Sequence, residues 1–408
     1  MGNMSEPENP AYEASIAASS KGLISYFKVA SWAIFIFVLA NNALLMSHWS
    51  ERRGVWDDLG YLRQAHLFQR FGVDGIDTDA RRDDDHFYVE ALKDIGLDEK
   101  GDFKKFVSHN FMAVTNKLVL QSPPGVGFLL AFFPEGFQVV PFYFICSVVV
   151  FIFAIFVVGL AQTLSALAVC AAFGWASIIF MINPAKASYS IAPTLAVCAV
   201  AGWLTALFFS ERSPRRRLMQ AALIGFLLGL SVNLRIANLF LASGYCAGFL
   251  IWFLKLRRPS ILVEASFFAS SLVIGMIPTL VSNEINAGSP FKTTYSAGDA
   301  TLPQFSPEVL RYYLSDVQSL LVGLLCALIV WTFIFRREFG PRAVAGLCSL
   351  TVALNLAFFL THSQFTQYYL VPFAMLSFWS LLFSLVITAR EPDISALSIS
   401  RMSGTEVF

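Results

Sequence analysis

Two adjacent carboxylates, Asp57 and Asp58, stand in the stretch GVWDDLGYLRQA (54–65), with Tyr61 one helical turn further on. Paired acids suit proton transfer, because like-charge repulsion raises the pKa of one member toward the range a general base needs. On a helix Asp57 and Tyr61, four positions apart, share a face, whereas Asp58 points about 100° away. The simpler alternative is that both acids form the solvated face of a surface helix. A second chemical candidate is Arg235, which with Asn233 and Asn238 alone interrupts the apolar run 218–254. Ionisable residues in such runs default to functional hypotheses, the alternative being an arginine that snorkels to the interface. Lys186 and Lys292 are further cations on the same side of the chain's apolar segments. A third candidate is DGIDTDARRDDDHF (74–87), where Asp77, Asp79, Asp83, Asp84, Asp85 and His86 could ligate Mg²⁺ or Mn²⁺ through oxygen. Arg81 and Arg82 neutralise part of that cluster, and charge-dense loops are commonly just solvated. The six cysteines all fall in apolar runs and read as packing residues, so neither a disulfide framework nor a thiolate metal site is indicated.

The elements that must position these groups are membrane spans. Of 408 residues, 56% are hydrophobic and only 14% charged, and the mean hydropathy is +0.62. Apolar stretches of roughly 18 residues or more recur, the length that crosses hydrocarbon as a helix. The expected fold is therefore an all-α integral membrane protein. Ten spans are read at 25–46, 139–160, 163–182, 190–210, 218–234, 236–254, 261–281, 317–335, 343–361 and 368–389. The run 218–254 is flanked by the short basic loops SERSPRRR and KLRRPS. Both belong on the cytoplasmic side, so the run is a hairpin turning near Arg235. With both termini cytoplasmic, the basic loops at 211–217, 255–258 and 336–342 all lie inside. The segments 47–138, 183–189, 282–316 and 362–367 lie outside, and all five histidines (48, 66, 86, 109 and 362) fall on or near that side. Residues 1–24 read as a disordered cytoplasmic segment without signal-peptide layout, 25–390 as the membrane domain, and 391–408 as a cytoplasmic tail. PPGVGFLLAFFPEGF (123–137) is too short to cross and reads as a helix dipping into the outer leaflet. Trp56, Leu59, Leu62 and Leu67/Phe68 recur at helical spacing, as in a helix lying on the membrane surface. Glu264, near the inner end of its span, reads as an interfacial residue. The net charge of +1 gives no reason to expect a nucleic-acid partner.

Four stretches in order, DDLGYLRQA, SPPGVGFLLAFF, LGLSVNLRIANLFL and SNEINAGSPFKTTYS, resemble motifs of the GT-C class of polytopic glycosyltransferases. Within that class the resemblance is to bacterial aminoarabinose and galacturonic acid transferases of lipopolysaccharide, and to protein O-mannosyltransferases. HSQFTQYYLVPF (362–373) resembles the family's final outer turn. The chain departs from the pattern at Ser122, where an aromatic is common, and at Gln367, where an arginine commonly precedes the tyrosine.

The resemblance implies a long first extracytoplasmic loop carrying surface helices and an outer-face active site. It implies transfer of a sugar from a polyprenyl-phosphate donor to a lipid, glycan or protein acceptor, with membrane lipids around it and no cofactor required. The compartment implied is the bacterial inner membrane, with the site on the periplasmic side. Carried over residue by residue, Asp57 becomes the general base and Asp58 the second acid. Arg235, with Lys186 and Lys292 behind it, becomes the cation for the departing phosphate. Tyr61, Arg63, Pro124, Gly125, Asn233, Asn283, Ser289, Tyr295, His362 and Tyr368 become substrate contacts. The competing classes are a lipid-linked sugar flippase or transporter, an envelope polysaccharide polymerase or ligase, and a non-catalytic assembly subunit. The near-absence of charge within the spans argues against a transporter.

Overall fold

The computed structural model describes residues 10–49, 51, 56–94, 108–181, 188–295, 303–361 and 368–389, with side chains from 21 onward. The predicted sites Lys186 and His362, the departure at Gln367 and the segment 391–408 lie outside the described residues.

The chain opens with α1 (Pro10–Met46), whose segment Lys21–Met46 is long and apolar enough to cross a membrane. A loop subdomain follows. It comprises α2 (Trp56–Phe71), a 3₁₀ turn over Gly72–Ile76, α3 (Phe87–Asp94), a hairpin of β1 (His109–Met112) and β2 (Lys117–Leu120), and α4 (Gly125–Leu130). The hairpin is antiparallel, pairing His109 with Leu120 and Met112 with Lys117. α4 has 6 residues and cannot span.

The remainder is helical: α5 (Val139–Leu160), α6 (Leu164–Phe180), α7 (Ile191–Ser210), α8 (Pro214–Val232), α9 (Leu239–Leu256) and α10 (Pro259–Ala287). After them come α11 (Pro307–Ser315), α12 (Val317–Phe335), α13 (Phe339–Phe359) and α14 (Val371–Thr388). Among the described residues, 8 helices are long and apolar enough to cross a membrane. α6, with 17 residues, and α8, whose first turn holds Arg215, Arg216 and Arg217, pack among them. The run 218–254 breaks where the sequence predicts: α8 stops at Val232, Arg235 is fully extended, and α9 begins at Leu239.

Helices without a solvent-driven reason to associate pack through small residues that let backbones approach. α8 carries Gly225-x-x-x-Gly229, and this stripe faces α10. A Cβ at Gly229 would lie 2.1 Å from the Leu272 carbonyl oxygen, and one at Gly225 2.2 Å from that of Phe268. α7 and α14 form the enclosed centre of the bundle. Gly202 of α7 closes on Trp379 of α14, which is fully buried. α1 and α12 are the most exposed, as lipid-facing helices are.

The packing refines three expectations. The apolar face of α2 does not lie open to the membrane: Leu59, Leu62 and Leu67 are buried within the protein, largely against α4, α3 and the 3₁₀ turn. Glu264, read as an interfacial residue, is in addition tied into the bundle, because Arg217 grips both its oxygens at 2.8 and 2.9 Å. Of the cysteines, Cys246 and Cys326 are exposed on the bundle's outer surface while the other four are buried.

Candidate active site

α2 presents Asp57, Tyr61 and Gln64 along one stripe, since positions four and seven apart return to the same face. Three chain segments close over it. The first is the stretch 188–190 before α7. Tyr189 donates its backbone N–H to Asp58 Oδ1 at 3.2 Å, and Ser188 Oγ donates to the Tyr61 hydroxyl at 3.5 Å. Tyr189 also donates its hydroxyl to the Glu51 carbonyl at 2.8 Å. The second is the α8–α9 break, which brings Arg235. The third is Tyr368 and Tyr369, immediately before α14.

Arg235 is buried and lies over two ring faces, 4.7 Å from the centroid of Tyr368 and 4.4 Å from that of Tyr369. Among the described residues its guanidinium makes no side-chain hydrogen bond or ion pair. Asp57 likewise has no such partner among them. The two sense each other through space. Burial raises the Asp57 pKa above the ordinary carboxylate range, and the Arg235 charge partly offsets that rise. This corrects the sequence-level cause, which was repulsion from Asp58. The Tyr61 hydroxyl is also pushed up by burial and by Asp57, with Ser188, Ser190 and Arg235 opposing. Tyr295 lies within electrostatic reach of Tyr61, Arg235, Asp57 and Tyr369, and burial raises its pKa. Tyr368 lies within reach of Arg235, Asp57 and Tyr61. Asp57, Tyr61, Arg235, Tyr295, Tyr368 and Tyr369 thus form one electrostatically coupled cluster. Behind Arg235 a small void touches Asn238, Asn355 and Pro372.

Other expected site residues have structural partners. Asp58 faces the 188–190 segment rather than this cluster. Asn233 uses its whole amide: Oδ1 accepts from the Thr279 backbone N–H at 2.9 Å and its hydroxyl at 2.7 Å, and Nδ2 donates to Gly275 at 2.7 Å and Leu230 at 3.2 Å. Its backbone carbonyl accepts from Gly125 N–H at 2.7 Å. A Cβ at Gly125 would come within 2.5 Å of that oxygen, so this close approach requires glycine. The double-proline turn, with Pro124 as the N-cap of α4, is thereby clamped to the arginine turn. Asn283 donates to the Pro290 carbonyl at 3.1 Å, and Ser289 and Lys292 form the turn that follows α10.

Arg63, expected to meet substrate, is fully buried inside the loop subdomain. Its Nε donates to Asp84 at 2.7 Å, and its terminal nitrogens donate to the carbonyls of Thr78 and Asp79 at 3.0 and 3.1 Å. One also meets His109 Nε2 at 3.1 Å. Burial and the arginine charge drive the His109 pKa well down. The ring is therefore neutral, with Nε2 accepting. The acidic stretch is similarly engaged: Asp77 with Lys117, Asp79 with Arg81, and Asp83 and Asp85 with Arg70. Among the described residues, no three His, Cys, Asp or Glu side chains converge as a metal site would require.

Not legible in the sequence were Ser188 and Ser190 as partners of Tyr61, and Tyr369 as a second ring against Arg235. Within NPAKASYS only the lysine carries charge, and nothing local to QYYL sets its second tyrosine apart from its first.

The fold defines the class of protein: a helical integral membrane protein with a folded loop subdomain over one end of its bundle. Comparisons with protein-family models, with curated proteins and with solved structures return no match.

Proposed function

We propose that this chain is a membrane glycosyltransferase that moves a sugar from a polyprenyl-phosphate carrier to a glycolipid, glycan or protein acceptor. In this reading ten helices cross, α6 and α8 included, both termini are cytoplasmic, and the Asp57 cluster lies on the outer face. The observation that carries it is the electrostatic coupling of a half-buried acid to a buried arginine. Each lacks a hydrogen-bond partner among the described residues, and both sit among tyrosines.

The reaction follows from those groups. Asp57 accepts the proton of the acceptor hydroxyl. The freed oxygen attacks the anomeric carbon from the face opposite the phosphate, so the carbon–oxygen bond to phosphate breaks as the new one forms. Configuration inverts, and no covalent intermediate on the protein is needed. The departing phosphate gains negative charge, which Arg235 stabilises in a water-poor site. Tyrosine faces beside the sugar hold its apolar side while their hydroxyls orient it.

The test is equilibrium binding of undecaprenyl phosphate to the purified chain in nanodiscs. Arg235→Ala should weaken binding by about tenfold or more, the loss of one charge-assisted phosphate contact, while Asp57→Asn should leave it intact. Equal binding by wild type and Arg235→Ala would sink the phosphate role.

A further inference from the structure

A second concavity, of about 580 Å³, lies on the loop subdomain between the acidic stretch, α3 and the hairpin. Its size is that of a ligand site, which runs roughly 300–1,000 Å³. Its lining includes Arg81, Arg82, Asp83, Asp84, His86 and Phe111. Two arginines and two aspartates cancel formally, and each is pinned from behind. Asp79 holds Arg81, the Phe71 ring lies 4.3 Å from Arg82, Arg70 holds Asp83 and Arg63 holds Asp84. The groove therefore has no net field to select an ion. It does offer rigid planar groups, both donors and acceptors, each with hydrogen-bonding capacity left over. Phe111 stands at its edge with its ring 62% exposed, a large apolar surface for a residue in the middle of a strand. Of the four described non-glycine residues with left-handed backbone, two line the groove: His86 and Asn116. Strained positions persist where the surrounding structure over-determines them, and they cluster at binding sites.

We propose that this groove binds a neutral oligosaccharide. Vicinal hydroxyls, each both donor and acceptor, match alternating carboxylate and guanidinium groups, and the C–H face of a pyranose matches an exposed phenyl ring. Its role as the subsite for a glycan acceptor rests on the transferase reading; the binding itself does not. α2 forms the partition. Arg63, which secures Asp84 in the groove wall, stands six positions after Asp57 and so about 120° around the same helix. A chain of sugars seated in the groove lies beside the helix that carries the base.

Binding of mannotriose, chitotriose, maltotriose and galactotriose to the full chain in nanodiscs, followed by saturation-transfer NMR, tests this. Inorganic phosphate and a tripeptide serve as comparators. At least one trisaccharide should bind, with Phe111→Ala weakening it by about tenfold and Phe111→Trp preserving it. Phe111 is too exposed for either change to unfold the hairpin. Asp57→Asn should leave this binding unchanged. The proposal is overturned if none of the four binds, if phosphate or peptide occupies the groove instead, or if Asp57→Asn abolishes binding that Phe111→Ala spares. A trisaccharide held through Phe111 in a chain that transfers no sugar would retain the groove and defeat the transferase reading alone.

Discussion

Asp57→Asn and Asp58→Asn should have opposite signatures, although the two residues are neighbours. The Asp57 carboxylate is half-buried, has no hydrogen-bond partner among the described residues, and has its pKa raised by burial. A raised folded-state pKa means the fold favours the neutral acid. Its contribution to stability is present at low pH and is lost as pH rises through the folded value. At neutral pH the ionised side chain is therefore a burden, and asparagine removes it without loss of stability. Activity is another matter. A general base typically contributes 10²–10⁴-fold, or about 3–5 kcal/mol of transition-state stabilisation. Asp58 is almost wholly buried and accepts the Tyr189 N–H, so it ties α2 to the segment before α7. Losing a charge-assisted hydrogen bond there costs about 1.5–3 kcal/mol of stability. The assay is single-turnover sugar transfer per folded molecule, alongside thermal unfolding of each variant in the same detergent. Asp57→Asn should unfold no earlier than the parent and transfer at most about one-hundredth as fast. Asp58→Asn should unfold earlier but transfer within a few-fold of the parent once folded. Full activity in Asp57→Asn with a dead, stable Asp58→Asn would overturn the assignment within the pair, and with it the argument from burial.

Because burial holds the Asp57 pKa above the ordinary carboxylate range and Arg235 opposes the rise, the acid limb of the transfer rate should lie above that range. Arg235→Gln should move it to still higher pH, and a pH–rate profile on both forms reads this out. In the bundle, Gly229→Ala places a methyl group 2.1 Å from the Leu272 carbonyl and should destabilise by about 1–3 kcal/mol. Gly323→Ala meets nothing within 4 Å, so thermal unfolding should show it neutral or slightly stabilising. Arg63→Met takes the partner from Asp84 in the groove wall and removes the hydrogen bonds to Thr78 and Asp79, a loss of about 1.5–3 kcal/mol. Limited proteolysis should then cut the 74–94 region while the helices of the bundle stay protected.

What the sequence made legible was set by periodicity and by exceptions to it. Apolar length alone yields the long helices, and two basic flanks are enough to place a break at Arg235. α2 was visible in the spacing of Leu59, Leu62 and Leu67, but its surroundings were not. An amphipathic stripe fits a membrane surface and a protein interior equally well, and only tertiary contact decides between them. Arg63 shows the same limit from the polar side. A lone arginine beside acids reads as a ligand contact until the fold places Asp84 and His109 around it, each far along the chain. The GxxxG spacing of α8 is legible in the sequence, but not the helix it faces. Asn233, Ser188 and Tyr369 depend on pairings across more than 40 positions, which no local pattern encodes.

The manner in which Arg235 is held bears on what it can do. A buried arginine usually closes on a carboxylate, which uses its planar fork of donors. Here the guanidinium instead lies over the faces of Tyr368 and Tyr369, two rings set at 88° to each other. A ring face attracts the cation without taking a hydrogen bond from it, so this contact consumes none of its N–H donors. Asp57 is near enough for its field to be felt but makes no ion pair with the arginine. The backbone contributes as well. Arg235 sits extended between two helix ends, and the carbonyl two residues before it is clamped by Gly125 to the double-proline turn. The amide of Asn233 fastens the same turn to α10 at Gly275 and Thr279. A cation held by two ring faces and its backbone, with no side-chain hydrogen bond among the described residues, is suited to an anion that arrives and departs. A carboxylate partner at that point would compete with the phosphate, whereas tyrosine faces do not.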